Sequence, residues 1–220
     1  MGMGIDVRNR IARRAAQEVK DGMIVNLGIG IPSLVPNHLP DGMNVMVHAE
    51  NGILGIGPSP QNGQEDENLC NAAGYPVTTV VGSSYFDSSI AFGMIRRGYI
   101  DITILGSLQV SQHGDLANWI VPGKRVPGMG GAMELAQKAK KVIVLMNHID
   151  KLGNSKIVKE CNLPLTSKNC VDLIITDMAV IEVTENGLLL LEVMSPYSVE
   201  EVIQHTAAEL KLSDSILHIS

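Results

Sequence analysis

The sequence predicts an α/β fold, with a mostly parallel sheet flanked by helices and an antiparallel hairpin near the C-terminus. Three observations carry this reading. Short apolar runs alternate with amphipathic stretches along most of the 220 residues, the rhythm of strand–helix–strand units. Aromatic residues make up 3% of a chain that is 45% hydrophobic, so the core must be built from Val, Ile, Leu, Ala and Met, as in parallel sheets covered on both faces. Finally, Asn186-Gly187 stands between two apolar runs, the strongest short-range signal of a hairpin.

The elements follow in order. Over residues 6–20, Val7, Ile11, Ala15 and Val19 recur four apart with Arg and Lys on the other face, which predicts a helix capped by Asp6 and stopped at Gly22. A buried strand at 23–27 runs into the turn Gly28-Ile29-Gly30-Ile31-Pro32, and a second helix is expected over 33–38. Residues 43–49 read as a strand ending at His48-Ala49-Glu50-Asn51-Gly52, followed by a glycine-rich segment at 52–58. The rhythm repeats with a strand at 77–81, a helix at 88–96 and a strand at 100–105. A glycine-containing loop at 123–131 leads to a helix at 133–141, then to strands at 142–146 and 173–176. Runs 179–184 and 188–193 flank Glu185-Asn186-Gly187 and predict a hairpin at the sheet edge, and 198–210 predicts a closing helix. The length suits one domain spanning 1–220, without linker or repeat.

Composition narrows the function. A net charge of −6 provides no basic field for nucleic acid. No apolar run approaches the roughly 20 residues of a membrane span, and the polar N-terminus lacks the apolar centre of a signal peptide. Met1-Gly2 opens like a myristoylation signal, but Asp6 stands where Ser or Thr is required. Cys70, Cys161 and Cys170 are odd in number and far apart, which predicts reduced, partly buried thiols in a cytoplasmic protein. The six histidines lack metal-ligand spacing, so no metal is expected.

Chemistry is expected outside the carboxyl ends of the strands, where ligands of open α/β sheets bind. Segments 28–32, 52–58 and 128–131 all follow predicted strands, and their glycines would let backbone N–H groups approach a ligand. Gly28-x-Gly30 begins a dinucleotide fingerprint, but Ser33 replaces its third glycine and Pro32 intrudes on the turn. A dinucleotide-dependent oxidoreductase is therefore the competing reading. Glu50 is more informative, because a carboxylate at the end of an apolar strand is costly unless hydrogen-bonded or functional. The tripeptide alone is not decisive, since Glu-Asn-Gly recurs at 185–187 where an ordinary hairpin turn explains it.

The longer context decides. Val47-His48-Ala49-Glu50-Asn51-Gly52-Ile53-Leu54-Gly55 resembles the signature around the active-site glutamate of class I coenzyme A transferases. Asn26-Leu27-Gly28-Ile29-Gly30-Ile31-Pro32, Gly114-Asp115-Leu116-Ala117-Asn118-Trp119 and Gly128-Met129-Gly130-Gly131-Ala132-Met133 resemble further segments of the β subunit of 3-oxoacid CoA-transferases. The likeness runs in order from about residue 8 to about residue 205.

The resemblance implies the CoA-transferase and sugar-phosphate isomerase type of fold. It also implies ping-pong transfer of CoA between carboxylic acids, from succinyl-CoA to a 3-oxo acid such as acetoacetate, through a glutamyl-CoA thioester on Glu50. Asn26 and the backbone N–H of Gly131 are the implied oxyanion donors, and His48 is read as a structural neighbour of Glu50. Gly28, Gly30 and Gly130, with Asn51 and Gln109, are the implied CoA-contacting set. Asn118 is expected in the pocket, and Lys124 and Arg125 near the CoA phosphates. CoA would be substrate and covalent intermediate, with no cofactor held permanently. A separate α subunit is the implied partner in a heterodimer, and the family pattern allows two heterodimers to pair into a heterotetramer. One departure stands out, because related enzymes can carry a lysine where this chain has Gly74. Two further readings accompany this one: a non-catalytic regulatory subunit of the same fold, against which the full signature around Glu50 speaks, and a CoA-ester hydrolase that admits water to the same intermediate.

Overall fold

The computed structural model describes residues 3–123 and 128–219. The first helix, α1 (Ile5–Ala16), is capped by Gly4, and Asp6 lies inside its first turn, where a carboxylate favours the positive end of the helix dipole. Ile11, Ala12 and Ala15 are fully buried on one face. The helix stops well short of residue 20, and the chain reverses at Gly22 with a φ of 79°. Strand β1 (Ile24–Leu27) follows. The expected second helix is a 3₁₀ helix, Pro32–His38, because Pro36 lacks the N–H that an α-helical turn needs.

Strands β2 (Met46–Ala49), β3 (Ile53–Ile56) and β4 (Thr79–Tyr85) form an antiparallel meander. Segment 52–58 is thus largely strand rather than loop. Helix α2 (Ser88–Arg96) begins where the sequence predicts, with the Asp87 carboxylate accepting from the Ser89 N–H at 2.7 Å. After β5 (Ile102–Gly106) come two short strands, β6 (Gln109–Ser111) and β7 (Leu116–Ala117), and then α3 (Ala132–Lys138) and β8 (Lys141–Leu145). Strand β9 (Ile157–Val158) joins β6 and β7 in a small separate sheet.

The predicted hairpin is present: β10 (Leu173–Ile175) pairs antiparallel with β11 (Ala179–Thr184), which turns into β12 (Gly187–Met194). It does not form the sheet edge. Helix α4 (Val199–Gln204), opened by a Ser198–Glu201 capping box, is only six residues long, and the chain returns as β13 (Leu210–Ile219) parallel to β12. The helix expected over 198–210 is therefore half helix and half crossover into an edge strand.

The large sheet runs β13-β12-β11-β10-β8-β5-β1-β2-β3-β4. Its centre, β10-β8-β5-β1-β2, is parallel throughout. Alternation puts Ile143 and Leu145 of β8 against α1 and sends Val142 and Val144 into the second core on the opposite face. That is why this strand reads as a continuous apolar run. An ion-paired group links the layers, with the buried Arg14 guanidinium bonded to Glu192 and Glu18, both at 2.7 Å. Cys161 and Cys170 are partly buried, and burial pushes both thiols up to about 11, but Cys70 is exposed, contrary to expectation. Among the described residues no helix is long and apolar enough to cross a membrane, and no group of three or more side chains is arranged to hold a metal.

Candidate active site

Strand β1 is where the sheet order reverses, with β2 on one side and β5 on the other. A crevice opens at such a switch point, because the chains leaving neighbouring strands diverge. Here it is a cleft of about 890 Å³, walled by the exits of β1, β2 and β5, by residues 128–132 at the start of α3, and by part of the 56–77 connection.

The parallel register builds the floor of this cleft. Asn26 of β1 pairs with His48 of β2 and with Thr103 of β5, so one rung across the three central strands carries three buried polar side chains. Two residues further along each strand, on the same face, stand Gly28, Glu50 and Leu105, all lining the cleft. Glu50 is half-buried in the turn between β2 and β3. The Asn26 amide donates to Glu50 Oε2 at 3.3 Å and to the His48 carbonyl at 3.2 Å. Both acceptors lack hydrogens, which fixes the NH₂ end of the amide toward them.

His48 is 1% exposed. Burial lowers its pKa below the ordinary histidine value, opposed by the Glu50 charge and by the Ala91 carbonyl. Its Nδ1 lies 3.4 Å from the Asn26 amide nitrogen, and among the described residues Nε2 has no hydrogen-bond partner, the Ala91 carbonyl included. A neutral imidazole held in place is the result, which fits a structural neighbour of Glu50.

Gly131 closes the other side. A methyl group at this position would sit 3.3 Å from both Cγ and Oε1 of Glu50, tight enough to press on the carboxylate. Its φ of −80° is open to any residue, so glycine is required here for space and not for backbone freedom. Among the described residues its N–H has no acceptor. Gly28 has a similar role against the backbone, where an added methyl would lie 3.2 Å from the Ile104 carbonyl oxygen.

Of the residues singled out from sequence, Glu50, Asn26, Gly131, Gly28, Gly130 and Asn118 all face the cleft. Asn118 donates to the Gly106 carbonyl at 3.2 Å and accepts from Thr166 at 2.6 Å. Gly30, Asn51 and Gln109 do not line it. Gly30 turns the chain with a φ of 92°, its carbonyl accepting from the Ser33 hydroxyl at 2.8 Å. Exposed Asn51 donates to the Cys70 carbonyl at 2.8 Å. Gln109 Oε1 accepts from the Asn162 and Leu163 N–H groups at 3.1 and 3.3 Å, holding that loop. Lys124 and Arg125, and the Met1-Gly2 start, lie outside the described residues. Gly74 occupies a turn closed by its N–H on the Asn71 carbonyl at 2.9 Å, with a φ of 80° that disfavours the lysine of related enzymes. Local sequence rules missed Thr103 and the 58–77 wall. A threonine in the apolar run Ile102-Thr103-Ile104-Leu105 is the one available signal.

Known proteins share the sequence and the fold of this chain. The family model described as coenzyme A transferase matches residues 8–205. The beta chain of a probable coenzyme A transferase of Bacillus subtilis (strain 168) is 63% identical over 212 residues, 96% of this chain and 98% of that protein. The B-type chain of the succinyl-CoA:3-ketoacid coenzyme A transferase of Helicobacter pylori (strain 26695) is 50% identical over 206 residues, 94% of this chain and 99% of that one. Among solved structures, the fold is shared with an acyl-CoA transferase of Escherichia coli O157:H7, with a TM-score of 0.78 at 20% identity. That match covers 100% of this chain and 44% of the larger one. On the family match and on identity across nearly the whole length of its relatives, the chain belongs to the coenzyme A transferase family, as a β-type subunit.

Proposed function

We propose that this chain is the nucleophile-bearing half of an enzyme that moves CoA from succinyl-CoA to a 3-oxo acid such as acetoacetate, by a ping-pong route through Glu50. The observation that carries the reading is the setting of Glu50: a half-buried carboxylate at a sheet switch point, held by a buried amide and faced by a glycine that leaves room only for itself. The succinyl-CoA and 3-ketoacid for which the Helicobacter pylori relative is named support the acid pair.

In this mechanism a Glu50 carboxylate oxygen attacks the thioester carbonyl of the acyl-CoA. The C–S bond breaks, leaving a mixed acyl-glutamyl anhydride and CoA thiolate. The thiolate then attacks the glutamyl carbonyl, releasing the first acid as its carboxylate and leaving a γ-glutamyl thioester. The acceptor acid reverses these steps. Each tetrahedral intermediate places negative charge on an oxygen, and a donor aimed at it is typically worth about 3–4 kcal/mol. The Asn26 amide and the Gly131 N–H are the donors in this reading. Gly28 and Gly130 let the backbone approach the thioester and pantetheine, and the anhydride and thioester have to be shielded from water while they form.

The partner is an α-type chain, which completes the active site in a heterodimer. The larger Escherichia coli enzyme, of which this chain matches 44%, supports the idea of a second half. The test is mass spectrometry of the enzyme, purified with its partner chain, after incubation with acetoacetyl-CoA and no acceptor acid. A CoA-sized adduct on the peptide containing Glu50, absent from Glu50→Gln, is the expected result. No adduct from an active complex, or one that survives Glu50→Gln, removes Glu50 from the mechanism.

A further inference from the structure

Thr103 belongs to the polar rung beneath the cleft and has no part in the proposed mechanism. Thr103 is 0% exposed in the middle of β5, flanked by Ile102 and Ile104, which face the opposite core. Its hydroxyl donates to Asn26 Oδ1 at 3.4 Å, and among the described residues that oxygen accepts from no other donor. The opposite end of the same amide carries the contacts to Glu50 and to the His48 carbonyl.

An asparagine in a central, fully buried strand is disfavoured unless its amide is matched on both ends. Rotating this amide by half a turn would set its oxygen against the Glu50 carboxylate and its NH₂ against the Thr103 hydroxyl. The Glu50 and His48 oxygens select the NH₂ end, and the Thr103 hydroxyl, which can donate or accept, anchors the amide in that orientation by giving Oδ1 its donor. We propose that Thr103 is a positioning residue for the reaction, acting through Asn26 by holding the amide with its N–H groups aimed at Glu50. The inference rests on the reading of Asn26 as an oxyanion donor and extends that donor network one strand deeper. Threonine to valine is close to isosteric, so it removes the hydroxyl while keeping the strand packed.

The experiment uses the enzyme assembled with its partner chain, acetoacetyl-CoA as substrate, and two readouts: the rate of CoA-adduct formation at Glu50 by quenched-flow mass spectrometry, and steady-state kcat and KM. Thr103→Val is expected to slow adduct formation and lower kcat about tenfold, the scale of one lost hydrogen bond, with KM changed less than about twofold. Thr103→Ser restores the rate to within about twofold of wild type. In the Asn26→Ala background, Thr103→Val adds no further loss, because the group it orients is gone. A Thr103→Val enzyme with wild-type adduct kinetics overturns the inference. So does a Thr103→Ser enzyme as slow as Thr103→Val, or a full additional loss in the Asn26→Ala background, since either assigns Thr103 to packing alone. A wild-type enzyme that turns over without any adduct on Glu50 overturns the covalent reading itself, a result distinct from all of these.

Discussion

The tripeptide Glu-Asn-Gly closes two hairpins in this molecule, at residues 50–52 between β2 and β3 and at residues 185–187 between β11 and β12. The second is an ordinary solvated turn. Glu185 and Asn186 are exposed, the turn is tied by its own Thr184 hydroxyl to the Gly187 carbonyl at 2.7 Å, and a methyl on Gly187 would meet nothing within 4 Å. The first turn is built into its surroundings. Gly52 is buried, its carbonyl accepts from the Phe86 N–H at 3.0 Å, and a methyl on it would fall 2.0 Å from the Phe86 carbonyl oxygen. Both glycines have positive φ, 116° and 105°, so local turn chemistry is shared. What differs is the environment, which leaves one glutamate in water and fixes the other over a cleft.

Paired substitutions can break or sharpen that contrast. The largest difference is expected at the glutamates: Glu50→Gln should lower transferase activity of the assembled enzyme by about 10³-fold or more, and Glu185→Gln should stay within about twofold, in the same coupled assay. The glycines come next. Gly52→Ala combines backbone strain with a backbone clash and should cost about 3–5 kcal/mol, whereas Gly187→Ala carries only the strain of about 1–3 kcal/mol, both measured by denaturant unfolding. Third, Gly131→Ala acts on the Glu50 turn from outside. Turnover should fall about tenfold to a hundredfold with the unfolding midpoint unchanged, because the backbone there accepts alanine and only the carboxylate is displaced. The smallest effect belongs to the asparagines. Asn51→Ala loses its bond to the Cys70 carbonyl and should cost about 1 kcal/mol, with a few tenths at most for Asn186→Ala, again from unfolding curves.

The contrast also explains what could be read in advance. Local pattern locates α1, α2 and the central parallel strands, because burial settles these elements, although the ends of α1 fall at Gly4 and Gln17 rather than at Asp6 and Gly22. Strand β3 is hidden because Gly52, Gly55 and Gly57 look like loop residues. In the sheet, Gly55 has a φ of 90° and sits at an irregularity opposite β4, with Ser83 where a side chain would go. The C-terminal helix ends early for a non-local reason: the Ala207 N–H bonds to the Ile157 carbonyl, and Leu210 pairs with Leu188. For the site, the position of Glu50 after an apolar strand and the glycines at 28 and 131 are legible as local features. Gly30, Asn51 and Gln109 lie near the cleft in sequence or topology, but their side chains or backbone face elsewhere. Thr103 stands out locally only as a polar residue in an apolar run, and its contact with Asn26 becomes visible when β5 lies beside β1, since no local rule relates residues 77 apart.

That separation has a consequence for how the protein is made. Asn26 meets His48 and Glu50 within one short stretch of chain, but its third neighbour arrives only when β5 docks parallel to β1 after the whole β2–β4 meander and α2 have been spanned. Closing so long a loop is slow, and parallel pairings of this kind dominate folding times. During refolding, far-UV signal from the helices should recover before catalytic competence does, and the delay should track the β1–β5 pairing. A nascent chain therefore carries its glutamate long before it carries an active site.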